Sequence, residues 1–186
     1  MKIFTEKKAE DFLEKNKFKI VQRKLISKKS QLKNLKIDFP IVMKISSKTI
    51  IHKHKTKGII LNIKDQEQAE KAYNRLKKKT KQVLIQKQTK GQELILGIKQ
   101  TPEFGHVIML GNKNDKKDNC FRVLPINKKD AEDMIKDIKI KINHPDKVRN
   151  NLLKLSKLVM KNKKIKELDI SPLINGLIVD AQIIFS

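Results

Sequence analysis

Two residues in the run FPIVMKISSKTIIHKHKTKGIILNI, positions 39–63, have side chains suited to handling a phosphoryl group. Lys44 lies inside an apolar, strand-like stretch, and lysine is almost never fully buried unless something pairs with it. His52 lies in a basic loop between two such stretches, beside Lys53, Lys55 and Lys57. A neutral imidazole is nucleophilic near pH 7 and is a good leaving group once phosphorylated, and lysines around it attract phosphate. An ammonium on a strand next to a histidine-bearing loop is therefore a candidate place to hold and pass a phosphoryl group. Two plainer readings stand beside this one: a lysine whose stem packs while its head reaches water, and a solvated loop histidine. His54, Cys120 and His106 do not form a compact zinc-ligand set by spacing, and the lysines around His54 would repel a cation.

These residues need elements to position them. Residues 5–16 read as a helix with Thr5 as N-cap and Ala9, Phe12 and Leu13 on one face. Residues 41–45 and 59–63 read as strands on either side of the histidine loop, and Asp65 caps a helix to about residue 79. Strands follow at 83–86, 93–98 and 106–110, then a polar loop at 111–118 and a strand at 121–124. Helices are expected over 127–138 and 145–162, and strands over 167–170 and 177–184 close the pattern. Helices and strands alternate without a strict βαβ rhythm, so the fold class is α+β. The expected division is an N-terminal lobe, 1–80, and a C-terminal lobe, 81–186, which together make one functional domain.

A chain of 186 residues can bury a sizeable core without disulfides or a structural metal, and the lone Cys120 fits a reducing compartment. The first residues become charged at once and lack an apolar signal region. The apolar run at 165–185 carries Asp169 and Asp180 and is broken by Pro172 and Gly176, so a membrane span is not expected and a cytoplasmic location is. The formal net charge of +24 could attract polyanions. Nearly all the basic residues are lysines spread along the whole length, and the arginines and aromatics that read and stack on bases are few. A solvated surface is the preferred reading over nucleic-acid binding.

The ordered blocks FPIVMKI, the His52 loop, GQELILGIKQTPEFGHVIMLG, FRVLPINKKDAEDMIKDIK and LDISPLINGLIVDAQI resemble the beta subunit of ADP-forming acetyl-CoA synthetase, an ATP-grasp protein related to the nucleotide-binding subunit of succinyl-CoA synthetase. The resemblance implies an ATP-grasp fold of two lobes with a nucleotide cleft between them. It implies that His52 carries the phosphoryl group with Asp169 facing it, and that Lys44, Gly58 and Arg122 bind nucleotide. Asp180 and Ser171 would hold Mg²⁺, with ATP or ADP as substrate and a CoA-binding alpha subunit as partner in an α2β2 assembly.

The chain departs from that family at several positions. Ser171 stands where the family has asparagine, Lys57 precedes Gly58 in place of a glycine, and Lys87 replaces an acidic residue near the adenine hinge. The glycine-rich stretch reads Gly111-Asn112-Lys113-Asn114, and an arginine-bearing loop before Pro145 is missing. Asp118 and Arg122 match. Three functions follow as alternatives: an acid–thiol ligase subunit making ATP from acyl-CoA, phosphate and ADP; a degenerate ATP-grasp subunit with weak or no catalysis; and a basic nucleic-acid-binding module.

Overall fold

Helix caps and strand alternation act together in the computed structural model, which describes residues 1–46 and 58–186. In chain order the elements are β1 (Lys2–Ile3), α1 (Glu6–Lys15), β2 (Arg23–Ile26), β3 (Ile41–Ser46), β4 (Ile59–Ile63), α2 (Gln66–Lys77), β5 (Gln82–Lys87), β6 (Glu93–Thr101), β7 (Gly105–Asn112) and β8 (Asp115–Val123). They continue with α3 (Lys128–Asp137), α4 (Pro145–Lys161), β9 (Ile165–Ile174), β10 (Leu177–Ile178) and β11 (Ala181–Phe185). Helix starts follow side-chain chemistry: Asp65 accepts from the Gln68 amide at 2.8 Å, and Asn127 with Asp130 forms a capping box. His52, His54 and Lys57 lie outside the described residues.

Two compact units result: Val21–Thr89, and Met1–Ile20 with Lys90–Ser186. The first is a four-stranded sheet in the order β2-β5-β3-β4. One face of it packs against α2 through Ile41, Met43, Ile45, Val83 and Ile85. The second is a seven-stranded antiparallel sheet in the order β1-β11-β9-β6-β7-β8, with β10 paired to β9. Its inner face, including Leu96, Ile98, Ile108, Leu110, Leu168 and Ile170, shares a core with Leu13, Met134 and Leu155 of the helices.

The α+β expectation holds, but the division near residue 80 does not match the units. β5 inserts between β2 and β3, which ties residues 82–87 to the first sheet, while β1 pairs with β11 and takes the N-terminal residues to the second. The polar stretch at 111–118 is mostly strand: Asn112 pairs with Asp115 across a two-residue turn. Strand pairing overrides the poor strand propensity of its lysines and asparagines. The expected strand at 177–184 divides into β10 and β11, with Val179 and Asp180 between them.

Candidate functional site

In the unit Val21–Thr89, β3 shows two faces. Its odd-numbered residues enter the core with α2, while Val42 and Lys44 point the other way, because successive side chains alternate across a strand. Lys44 lies opposite Leu84 on β5 and Ile59 on β4, and Val42 lies opposite Gln86. Gln86 in turn faces Arg23 on β2. Lys44, Gln86 and Arg23 therefore share the side of the sheet away from α2, with Lys44 only 5% exposed and Gln86 1%. Gly58 is buried, and its carbonyl accepts from the Ile45 amide at 2.8 Å, which sets Ile59 against Lys44.

Arg23 and Gln86 had not been singled out from sequence. The one local signal was a glutamine in the apolar run VLIQ, and cross-strand register supplies the rest. Lys87, by contrast, pairs with Ile41 and so lies on the opposite side of the sheet from Lys44. Its ammonium donates to the carbonyls of Asp38 at 2.9 Å and Phe39 at 3.1 Å, so it ties down the entry to β3.

The second unit contributes carboxylates. Ile170 and Leu168 of β9 face the helices, so Asp169 projects from the outer face. It stands opposite Gln182 of β11 on one flank and Gly97 of β6 on the other, and Gly97 leaves that flank without a side chain. The Ser171 amide donates to the Asp180 carbonyl at 3.1 Å, extending the β9–β11 ladder and setting both residues on the side of Asp169. Burial, and then the negative charges of Asp180 and Glu167, push the Asp169 carboxyl up to about 6, while Lys113 draws it down. The Lys113 ammonium is 3.0 Å from Glu93.

Arg122 is not on this face. It pairs with Ile108, a core residue beneath the helices, and its guanidinium donates to Asp137 of α3 at 2.6 Å. The neighbour that shares the outer face with Asp169 is Phe121, through the row Gly97, Met109 and Phe121. Asp118 is likewise structural: it is buried, accepts from the Lys139 amide at 2.8 Å and receives the Asn112 side-chain amide at 3.3 Å.

A hard divalent cation suits the donors that Asp169, Ser171 and Asp180 present. All are oxygens, and Asp169 is raised first by burial and then by the charge of Asp180, a repulsion that a bound cation would relieve. Among the described residues no cluster of three or more histidine, cysteine or acidic residues forms a denser metal site. Cys120 is buried, donates to the Met134 carbonyl, and its thiol is pushed up to about 11 by burial, so it is inert.

One sheet carries a buried lysine on the side away from α2, and the other carries an acidic pair on its outer face. Residues 1–184 match the ATP-grasp domain, and the chain belongs to that family. It is 35% identical over 179 residues to the beta subunit of ADP-forming acetate–CoA ligase II of Pyrococcus furiosus, covering 80% of this chain and 76% of that protein. It is 36% identical over 163 residues to the ADP-forming 4-hydroxybutyrate–CoA ligase of Nitrosopumilus maritimus, covering 75% of this chain but only 23% of that longer protein.

Among solved structures, the dinucleotide-forming acetyl-coenzyme A synthetase 1 of Ca. Korarchaeum cryptofilum, in complex with coenzyme A, Ca-AMPCP and HgCl+, superposes with a TM-score of 0.91 at 26% identity, over 100% of this chain and 94% of that one. Another structure of that synthetase holds Mg-AMPPCP, with its phosphohistidine segment pointing towards the nucleotide-binding site. Among the described residues no helix is long and apolar enough to cross a membrane.

Proposed function

We propose that this chain is the nucleotide-binding beta subunit of an ADP-forming acyl-CoA synthetase, acting in the cytoplasm with a CoA-binding alpha subunit in an α2β2 assembly. The overall reaction is acyl-CoA + ADP + phosphate ⇌ carboxylic acid + CoA + ATP. The observation that carries this reading is the outer face of the second sheet, where Asp169, Ser171 and Asp180 stand together in a chain that superposes along its whole length on a synthetase with a phosphohistidine segment.

His52 takes the phosphoryl group from a phosphohistidine that the alpha subunit forms from the acyl phosphate: an N–P bond forms at an imidazole nitrogen of His52 as the donor's N–P bond breaks and its imidazole leaves. The β-phosphate oxygen of ADP then attacks the same phosphorus, the N–P bond breaks, and the imidazole is released. Lys44 binds the nucleotide phosphates as a point charge, with Gly58 at the mouth of its strand. Asp169 is assigned the role of steadying the phosphohistidine by charge. Asp180 and Ser171, beside Asp169, would hold Mg²⁺, which would supply charge to neutralise phosphate. Most of the rate comes from positioning and charge neutralisation, as in other phosphoryl transfers.

Relatives that share this domain are named for acetate and for 4-hydroxybutyrate, which supports placing the choice of acyl group outside this chain.

The test mixes the chain with a competent CoA-binding subunit, acetyl-CoA, labelled phosphate and Mg·ADP. Labelled ATP and an acid-labile phosphohistidine on this chain are expected from the wild type, and neither from His52→Ala. A wild type that forms neither product fails the proposal.

A second reading, a subunit that keeps the fold and partner surface but turns over weakly, is favoured by one observation. Arg122 is engaged by Asp137 on the helix side of the sheet and not on the carboxylate face. Slow phosphohistidine formation with intact complex assembly would select it.

A further inference from the structure

Among the described residues, α4 differs from the other helices in how its lysines are partnered. In α1, α2 and α3 lysines are interleaved with acids and pair with them along the helix: Lys7 with Asp11, Lys71 with Glu67, Lys128 with Glu132 and Lys136 with Asp133. From Lys147 to Lys161 there is no acidic residue. Lys147, Asn150, Lys154, Lys157 and Lys161 recur at alternating steps of three and four, which places them in one exposed stripe along the helix. Val148, Leu152, Leu155 and Val159, on the other side, belong to the core. Ion pairs on α4 are made by Arg149, with Glu132 and Asp146, and Arg149 lies off the stripe. The Lys154 ammonium donates to the Lys17 carbonyl at 2.8 Å, which brings the exposed Lys17 beside the stripe, and exposed Lys163 and Lys164 follow its end. Like charges three or four residues apart oppose helix formation, and Lys147, in the first turn, also meets the positive end of the helix dipole. A bias toward lysine along the whole chain accounts for the number of these residues. It does not account for the loss, on this helix alone among the four, of the acids that accompany them elsewhere.

We propose that the lysine stripe of α4 is a docking surface for the phosphate backbone of a nucleic-acid duplex, a function separate from phosphoryl transfer. Its four lysines extend over about 21 Å of helix axis at the usual rise per residue. A duplex presents about 12 phosphate charges over the same length. The stripe holds no arginine and no aromatic residue, so it neither reads base edges nor stacks on single strands. Recognition is therefore of backbone charge, without sequence preference. An anionic membrane is the poorer match, because the apolar side of α4 that would enter a bilayer is held in the core.

The experiment follows the fluorescence anisotropy of labelled DNA and RNA duplexes of about 20 base pairs, each in two unrelated sequences, with the full chain at about 50 to 200 mM salt. Wild type is expected to bind all of them within about 3-fold of one another. The logarithm of affinity should fall against the logarithm of salt with a slope of about −3.6, the value for four phosphate contacts. The triple variant Lys154→Gln, Lys157→Gln, Lys161→Gln should bind at least about 10-fold more weakly, with the slope reduced by about 2.7. A control of equal charge on the other helices, Lys71→Gln, Lys128→Gln, Lys136→Gln, should stay within about 2-fold of wild type, because exposed charges beyond a Debye length are screened. Equal losses in the two variants overturn the proposal, since binding would then follow net charge alone. Tighter binding of single strands than of duplexes by more than about 10-fold also overturns it. So does an absence of duplex binding, including the case in which the stripe lysines hold phosphatidylserine vesicles or polyglutamate instead.

Discussion

Asp169 and Asp180 lie on one face of the β9–β11 pair, and the charge of Asp180, added to burial, pushes the Asp169 carboxyl up to about 6. In the unfolded chain this group ionises near its ordinary value of 3.8. As pH rises from there to about 6 the unfolded chain gives up its proton while the native protein keeps it, so the native state loses ground. The stability present at acid pH is lost through this window and stays lost above it. In metal-free buffer, urea unfolding at pH 7.5 is expected to show this group costing roughly 1 kcal/mol more than at pH 5, after allowance for solvent screening. Asp169→Asn should remove that difference. Parallel pH curves for the two proteins would show that the Asp169 carboxyl is not raised in the native state.

Lys44→Met keeps the length of the side chain and removes its charge. Because Lys44 is on the face of β3 away from α2, the core in contact with α2 is untouched. ADP affinity measured by calorimetry is expected to fall on the order of 10-fold or more, since a charge-assisted phosphate contact is lost. The far-ultraviolet circular dichroism should not change. Retained ADP affinity would remove Lys44 from the phosphate site.

Arg122→Gln separates what family likeness implies from what strand register shows. The Arg122–Asp137 pair is partly exposed, at 35% and 45%, so its loss should cost less than about 1 kcal/mol in stability. ADP affinity should be unchanged within a factor of about 2, a difference of about 0.4 kcal/mol. A large loss of nucleotide binding with stability intact would mean that the guanidinium leaves Asp137 when nucleotide enters.

Ser171→Asn replaces a weak hydroxyl donor with a carbonyl oxygen, a better ligand for hard cations. Manganese affinity at pH 7.5 is expected to rise roughly 3- to 10-fold, or about 0.7 to 1.4 kcal/mol. No change would place Ser171 outside the coordination sphere.

Helices were legible from sequence because their signals are local: Thr5, Asp65 and Asn127 cap within three residues, and apolar spacing marks the buried stripe. Lys44 stood out for the same reason, as a charge within an apolar run, whereas Asp169 was singled out through the family resemblance. What was not legible depends on which residue of one strand lies opposite which residue of another. A shift of one position moves a side chain to the other face of a sheet, and that is the difference between Phe121 and Arg122, and between Gln86 and Lys87. The 111–118 hairpin escaped notice because its strand character comes from pairing with β7 and not from its own lysines and asparagines. The unit boundaries escaped for a related reason: β5, later in sequence than α2, inserts between two earlier strands.

The pairing of Lys2 with Phe185 and Ile3 with Ile184 has a consequence for synthesis. Strands β2 to β5 all precede residue 90, so their sheet has every partner it needs soon after that residue emerges from the ribosome. β1 precedes every other element of its sheet in the chain, yet its neighbour exists only after β11 has been made. Until β11 has been made, the apolar side of α1, with Ala9 and Leu13, lacks part of the sheet that will cover it. A nascent chain stalled before residue 181 should therefore expose that helix to chaperones or protease even though strands β2 to β5 already have their sheet.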